Sequence, residues 1–205
     1  MNKICNVVYP GGAGGEFLTW ALSQSPDFKS LSVDIESTDK WTVNPQEMPN
    51  HIHKEYEDNP LYNRKFIDYD FSDTLINLAR DHMKPDSIEM FEEYVQTRYD
   101  CWNKAVIIIL YPKDKDSIDY ITRHAKQKIV RYIRPNLSIE SFQKGLNKKI
   151  EMFGDRNKII LDPFDLYVRD IDSSIDKLKN ELENVFGQLH ISKHTIKKFI
   201  SVRQP

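Results

Sequence analysis

The chain has 205 residues, 29 % of them charged, and a formal net charge of −2. This length suits one domain with a substantial core, and the charge balance gives no bulk sign of a nucleic-acid binder. The two cysteines form neither a metal-ligand spacing nor a disulfide framework, and no apolar run approaches the ~20 residues of a membrane helix. We therefore expect a single domain over residues 1–205 in a cytoplasmic protein, without nucleic-acid or membrane partners.

Residues 10–18 carry the strongest functional signal. Four of the seven glycines of the chain lie here, after an apolar segment over residues 4–9 and before apolar residues at helical spacing. A strand, a glycine loop and a helix in this order place backbone N–H groups where a phosphate can sit. A tight turn without a ligand is the alternative, but four glycines in five residues favour phosphate or nucleotide binding. The residues assigned to this site are Gly11, Gly12, Ala13, Gly14, Gly15, Glu16 and Phe17.

The following residues predict alternating strands and helices. Weak strands are expected over residues 30–35 and 65–69, on either side of an irregular excursion at about 36–65 that carries three prolines. A Ser-Asp pair before residue 74 and Pro85 predict a helix over residues 74–83. A second, longer helix is expected from residue 86 to residue 102.

The second half of the chain gives the clearest strand signal. Residues 105–110 form a continuous apolar run, which is typical of a central parallel strand covered on both faces. Helices are expected from Ser117, over residues 138–153 and 171–186, and from Ser192, with a strand over residues 158–161. This alternation predicts a three-layer α/β fold, a parallel sheet with helices on both faces, in which ligands bind beyond the carboxyl ends of the strands.

Residues 111–117 form a second candidate phosphate loop. Ser117 at a helix start supplies a hydroxyl and backbone amides, and Lys113, Lys115 and Arg123 are cations within reach. Taken alone, an ordinary capped turn with solvated charges is the simpler interpretation. The first loop lacks the Lys and Ser/Thr of a Walker A motif, since no Lys or Arg occurs between Lys3 and Lys29. A metal-free phosphate site built from backbone amides is therefore expected.

The order of these motifs resembles the P-loop sulfotransferase family. The resemblance rests on the glycine loop, the Pro-Lys-Asp-x-x-Ser sequence of residues 112–117 and the Ile-Leu-Asp-Pro-Phe-Asp-Leu sequence of residues 160–166. It implies a P-loop NTPase/sulfotransferase-like fold. The glycine loop would hold the 5′-phosphosulfate of 3′-phosphoadenosine 5′-phosphosulfate, and Ser117 with Lys113 or Arg123 would hold the 3′-phosphate. Gly12 and Tyr111 stand where the family has a Lys and an Arg.

Such a site would transfer a sulfuryl group to a hydroxyl or amine of a small-molecule or glycan acceptor, and it would need a base for the acceptor proton. His53 or His51 is the candidate base, and with no third ligand evident we expect no metal. One alternative is another nucleotide-dependent transferase or kinase. The other is a degenerate P-loop domain with a structural or interaction role. An oligomer is left open.

Overall fold

The computed structural model describes residues 3–30, 74–82, 104–126 and 139–203. These ranges hold five strands: β1 (Lys3–Tyr9), β2 (Phe28–Ser30), β3 (Ile76–His82), β4 (Val106–Leu110) and β5 (Asn157–Leu161). All their pairings are parallel, and the strands lie in the order β2-β3-β1-β4-β5. The predicted α/β fold with a parallel sheet is therefore confirmed.

The helices of the described ranges follow the predicted pattern closely in the second half of the chain. They are α1 (Gly15–Ser23), α2 (Lys115–Lys126), α3 (Ile139–Glu151), α4 (Ile171–Phe186) and α5 (Lys193–Arg203), with a short π-helix at Asp165–Arg169. The bounds of α4 agree with the prediction, and Gly187 ends it at a φ of 86°. Helix α2 begins two residues before Ser117, where the sequence placed its start.

The helix predicted over residues 74–83 is wrong, because residues 76–82 form strand β3. This strand pairs with β1 on one side and with β2 on the other. Its residues Ile76, Leu78 and Ala79 are buried, which is what a strand inside a parallel sheet requires. Leu, Ala and Arg are good helix formers, but helix propensity is a small local preference, and hydrogen bonds and burial on both sides of the strand override it.

The core lies on both faces of the sheet. Strand β4 is buried at every position. On one face, Val106, Ile108 and Leu110 belong to a hydrophobic cluster shared with α1, α4 and α5. Ile107 and Ile109, which alternate with them, lie outside that cluster and are fully buried. The continuous apolar run thus has the double burial that the sequence predicted.

The strand order creates a crevice between the ends of β1 and β4. After β1 the chain moves to β2 and β3 on one side of it, whereas after β4 it moves to β5 on the other side. In open α/β sheets, ligands bind at such a point, where neighbouring connections diverge. The glycine loop follows β1 and residues 111–114 follow β4, so the fold brings the two predicted loops to this crevice.

Several predictions concern residues outside the described ranges. These are the strands at 30–35 and 65–69, apart from Ser30 itself, the excursion at about 36–65 and the helix at 86–102. Within the described ranges, no helix combines the length and apolar character needed to cross a bilayer. The single-domain organisation over residues 1–205 stays a prediction.

Replacing Gly15 by alanine tests whether this glycine serves packing. A Cβ atom at Gly15 would lie 1.9 Å from Cδ1 of Tyr9, whereas a Cβ atom at Gly11 meets nothing within 4 Å. We expect Gly15→Ala to lower the free energy of unfolding by about 1–3 kcal/mol, as overpacking does. Gly11→Ala, the matched control, should change it by less than about 0.5 kcal/mol. Urea denaturation measures both, and equal stabilities of the two variants would contradict the assignment.

Candidate functional site

The glycine loop is a tight turn that two of its glycines make possible. Gly12 and Gly14 have φ values of 86° and 78°, in the left-handed region that other residues rarely adopt. The N–H of Ala13 donates to the carbonyl of Pro10 at 3.1 Å, which closes the turn. Gly14 is the N-cap residue of α1. Gly12 and Gly14 therefore serve backbone conformation, and Gly15 serves contact with Tyr9.

This turn leaves backbone donors unused at the start of α1. Among the described residues, the N–H groups of Gly12, Gly14 and Gly15 have no acceptor. The amides of a helix N-terminus lack partners within the helix and carry a partial positive charge. An anionic group in the crevice would satisfy them without a side-chain cation. These amides are therefore available to an anionic group, and the metal-free phosphate site stays a prediction.

The loop after β4 is held by a carboxylate that follows β5. Oxygen Oδ2 of Asp162 accepts a hydrogen bond from the N–H of Lys113 at 2.7 Å and from the hydroxyl of Ser117 at 2.6 Å. Its Oδ1 accepts from the N–H groups of Phe164 and Asp165 at 2.8 and 3.0 Å. Four donors from two loops therefore converge on one side chain that is 9 % exposed.

Asp114 caps α2 at the same place. Its Oδ1 accepts the N–H of Ser117 at 2.9 Å, the bond that an N-cap side chain makes to the third helical residue. This bond and an ion pair with Arg169 lower the pKa of Asp114 to about 2. The helix start that the sequence assigned to Ser117 thus belongs to Asp114, and the Ser117 hydroxyl faces Asp162.

An ion-pair network covers these two loops. Lys113 pairs with Asp165, and Arg169 pairs with Asp165 and, at 3.0 Å, with Asp114. Burial alone raises the pKa of Asp165, but the hydrogen bonds from Arg169 and Lys113 outweigh it and lower that pKa. The pKa of Arg169 is raised, chiefly by its bond to Asp165. The guanidinium also lies 5.3 Å from the ring centre of Phe164.

The structure brings together some of the predicted site residues. Gly11, Gly12, Ala13, Gly14, Gly15 and the backbones of Glu16 and Phe17 form the loop and the first turn of α1. Ser117 is fully buried, Lys113 is engaged by Asp165, and Arg123 is exposed on α2. His51 and His53 lie outside the described residues, as does the side chain of Glu16.

Sequence reasoning did not favour Asp162 and Asp165 as site residues, and it missed Arg169 and Tyr167, which also join the loops. Asp162 followed a predicted strand and preceded a proline, but its partners lie 45 and 49 residues away along the chain. Arg169 reaches Asp114 across 55 residues, and the hydroxyl of Tyr167 reaches Gly14 across 153. Only the Asp-Pro pair after an apolar strand was a usable signal. Among the described residues, no group of acidic residues, histidines or cysteines is arranged to hold a metal ion.

Comparisons with known proteins add little to this geometry. No family model and no curated protein matches the sequence. The solved structures that are similar include an unliganded sugar kinase from Janibacter sp. HTCC2649, at 10 % sequence identity and a TM-score of 0.47. The match covers 91 % of this chain and 97 % of that one. A similarity at this level carries no argument about function, so the assignment must come from the site itself.

Replacing Asp162 by asparagine tests the anchor between the loops. Asparagine keeps the shape of the side chain but replaces one oxygen by an NH₂ group. That group cannot accept the hydrogen bonds that the Asp162 oxygen accepts in the wild-type protein. We expect a loss of about 2–3 kcal/mol in the free energy of unfolding, since buried donors are left unsatisfied. Asp155→Asn, at an exposed turn position, is the control and should change it by less than about 0.5 kcal/mol. Indistinguishable denaturation midpoints would show that Asp162 is no anchor.

The lowered pKa of Asp114 predicts an acid-dependent loss of stability. A carboxyl group whose pKa falls from 3.8 to about 2 on folding stabilises the folded state above pH 3.8. That contribution is lost as the pH falls through about 2. Urea denaturation across this interval should therefore show stability falling with pH, and Asp114→Asn should flatten the decline. An unchanged slope in the variant would rule out Asp114 as a source.

Proposed function

We propose that this protein binds a phosphate-bearing nucleotide at the glycine loop and acts as a group transferase, with 3′-phosphoadenosine 5′-phosphosulfate as donor. The observation that carries the proposal is the set of unused amides of Gly12, Gly14 and Gly15, which lie at the crevice between β1 and β4. The choice of donor rests on the sulfotransferase-like sequence order.

In this proposal the glycine loop holds the phosphosulfate. The amides within residues 12–17 that are free among the described residues, those of Gly12, Gly14 and Gly15, donate to its anionic oxygens, and they stabilise charge that develops on the bridging oxygen as the sulfur–oxygen bond to phosphate breaks. The acceptor hydroxyl or amine attacks the sulfur in line and loses its proton to a base. His53 or His51 is the proposed base. The products are the sulfated acceptor and 3′-phosphoadenosine 5′-phosphate.

The 3′-phosphate of the donor is proposed to bind at residues 113–117. Among the described cations at this loop, Lys113 and Arg169 are paired with carboxylates in the free protein, and Lys115 is exposed at the first position of α2. A phosphate would therefore have to replace Asp165 as the partner of Lys113. Ser117 would contribute only if its hydroxyl left Asp162. Binding of the second phosphate thus requires an exchange of partners within the loop.

The same contacts favour a second candidate function, a non-enzymatic P-loop domain with an interaction role. Ser117, Lys113 and Arg169 are all engaged by carboxylates of the chain itself. A loop whose polar groups are mutually satisfied is stable without a ligand. In that case the glycine loop would be a structural turn. The two candidates differ in whether a nucleotide stabilises the folded protein.

Thermal unfolding with added nucleotides tests both candidates. A ligand that binds only the folded state at 100 times its Kd adds about 2.7 kcal/mol of stability. For a chain of this size we expect the Tm to rise by roughly 5–10 °C with 3′-phosphoadenosine 5′-phosphate. A rise with ATP–Mg²⁺ alone would instead indicate a kinase or another nucleotide-dependent transferase. No rise with either ligand would support the interaction role.

A charge placed in the loop shows whether the ligand binds there. Gly11 is exposed with free space around its Cβ position, so Gly11→Glu introduces a carboxylate without a clash, and Gly11→Gln is its neutral control. Repulsion of about 1 kcal/mol at 4 Å should weaken binding of the bisphosphate at least about fivefold in the first variant only. Equal affinities of both variants would locate the ligand elsewhere.

A further inference from the structure

A tyrosine on the π-helix, the segment that follows the edge strand β5, contacts the glycine loop. The hydroxyl of Tyr167 donates a hydrogen bond to the carbonyl of Gly14 at 2.8 Å, and the residue is 3 % exposed. Its ring packs edge-on against Phe17 of α1 at 5.8 Å and stacks on Tyr120 of α2 at 6.4 Å. One side chain therefore joins the helix after β1, the helix after β4 and the segment after β5.

The π-helix that carries Tyr167 is anchored at both ends. At its start, the N–H of Asp165 donates to Asp162, and so does the N–H of Phe164 before it. At its end, the N–H of Asp170 donates to the carbonyl of Asp165 at 2.9 Å, a bond across five residues that widens the turn. Segments of this kind occur frequently at functional sites. The anchors fix the position from which the Tyr167 hydroxyl reaches Gly14.

The Gly14 carbonyl accepts two hydrogen bonds, and this constrains the peptide that follows it. The second donor is the N–H of Leu18 at 3.1 Å, the first bond of α1. In a planar trans peptide the C=O and the next N–H point in opposite directions. Holding the Gly14 carbonyl toward the helix therefore turns the N–H of Gly15 outward, toward the crevice. Donation to the carbonyl also polarises the peptide, which strengthens that N–H as a donor.

We propose that Tyr167 is a positioning residue for the glycine loop, which holds the Gly14–Gly15 peptide in the orientation that an anionic group of the ligand requires. The contribution to ligand binding rests on the proposed function, whereas the ordering of the loop does not. Tyr167 touches no reacting atom in this scheme. Its effect passes through the Gly14 carbonyl to the Gly15 amide.

The test compares Tyr167→Phe, which keeps the ring, with the wild-type chain labelled with ¹⁵N-glycine. The chain has seven glycines, so each amide signal can be followed, with Gly145 and Gly154 as internal references far along the sequence. We expect the variant to move the signals of Gly14 and Gly15 well beyond those of the references. Tyr120→Phe, which removes a hydroxyl from the neighbouring ring, should leave the Gly14 and Gly15 signals in place.

The same variants are then titrated with 3′-phosphoadenosine 5′-phosphate. Loss of one net hydrogen bond predicts a Kd about three- to tenfold higher for Tyr167→Phe and an unchanged Kd for Tyr120→Phe. If the wild type binds no nucleotide, the proposed function fails while the glycine signals still decide the positioning role. Gly14 and Gly15 signals that move no more than the references would overturn the inference, as would an equal effect of Tyr120→Phe. Should Tyr167→Phe fail to fold, 3-fluorotyrosine at position 167 alone provides a stronger donor, and it should move the Gly14 and Gly15 signals well beyond those of Gly145 and Gly154; equal shifts would overturn the inference.

Discussion

The carboxylate of Asp162 is the constraint on which the ligand-facing edge of the sheet depends. It accepts hydrogen bonds from the loop after β4 and from the segment after β5, so two loops share one anchor. The π-helix begins at this anchor and carries Tyr167 to the glycine loop after β1. The buried Asp162 side chain thus joins the loop after β4 to the segment after β5, and the Tyr167 hydroxyl joins that segment to the glycine loop. The mutual geometry of these three segments follows from bonds made across the sheet, because the partners that join one loop to another are 45 to 153 residues apart in the chain.

The strands and helices that could be predicted are those whose own residues carry the signal. The apolar run of β4 and the periodic apolar residues of α4, with Gly187 after it, depend on little beyond local pattern and burial. Strand β3 could not be predicted in this way. Its leucine, alanine and arginine are compatible with a helix, and pairing with β1 and β2 makes them part of a strand. The short strand β2 likewise depends on β3 for its hydrogen bonds.

The candidate site was predictable to the same extent. The glycine loop could be predicted because turns with left-handed residues are rich in glycine. Gly12 and Gly14 have the positive φ values that glycine alone adopts freely. The role of Gly15 was not visible, since it depends on the ring of Tyr9. Ser117 carried the right chemistry for a phosphate, yet its hydroxyl is turned toward a carboxylate 45 residues away. A residue type can be read from a sequence, whereas the direction of its hydrogen bond requires the fold.

The distribution of charge makes the loop after β4 and the glycine loop differ in how strongly they attract an anion. At the loop after β4, three carboxylates, Asp114 of the loop itself and Asp162 and Asp165 of the segment after β5, surround Lys113 and Arg169. An anion arriving there gains either of these two cations only by displacing a carboxylate, so much of their attraction is cancelled. The amides of the glycine loop face no such competitor among the described residues. Binding free energy for an anionic ligand must therefore come mainly from the glycine loop. The orientation of the Gly15 amide then matters more than the number of cations nearby, because a dipole contributes only when it points at the charge.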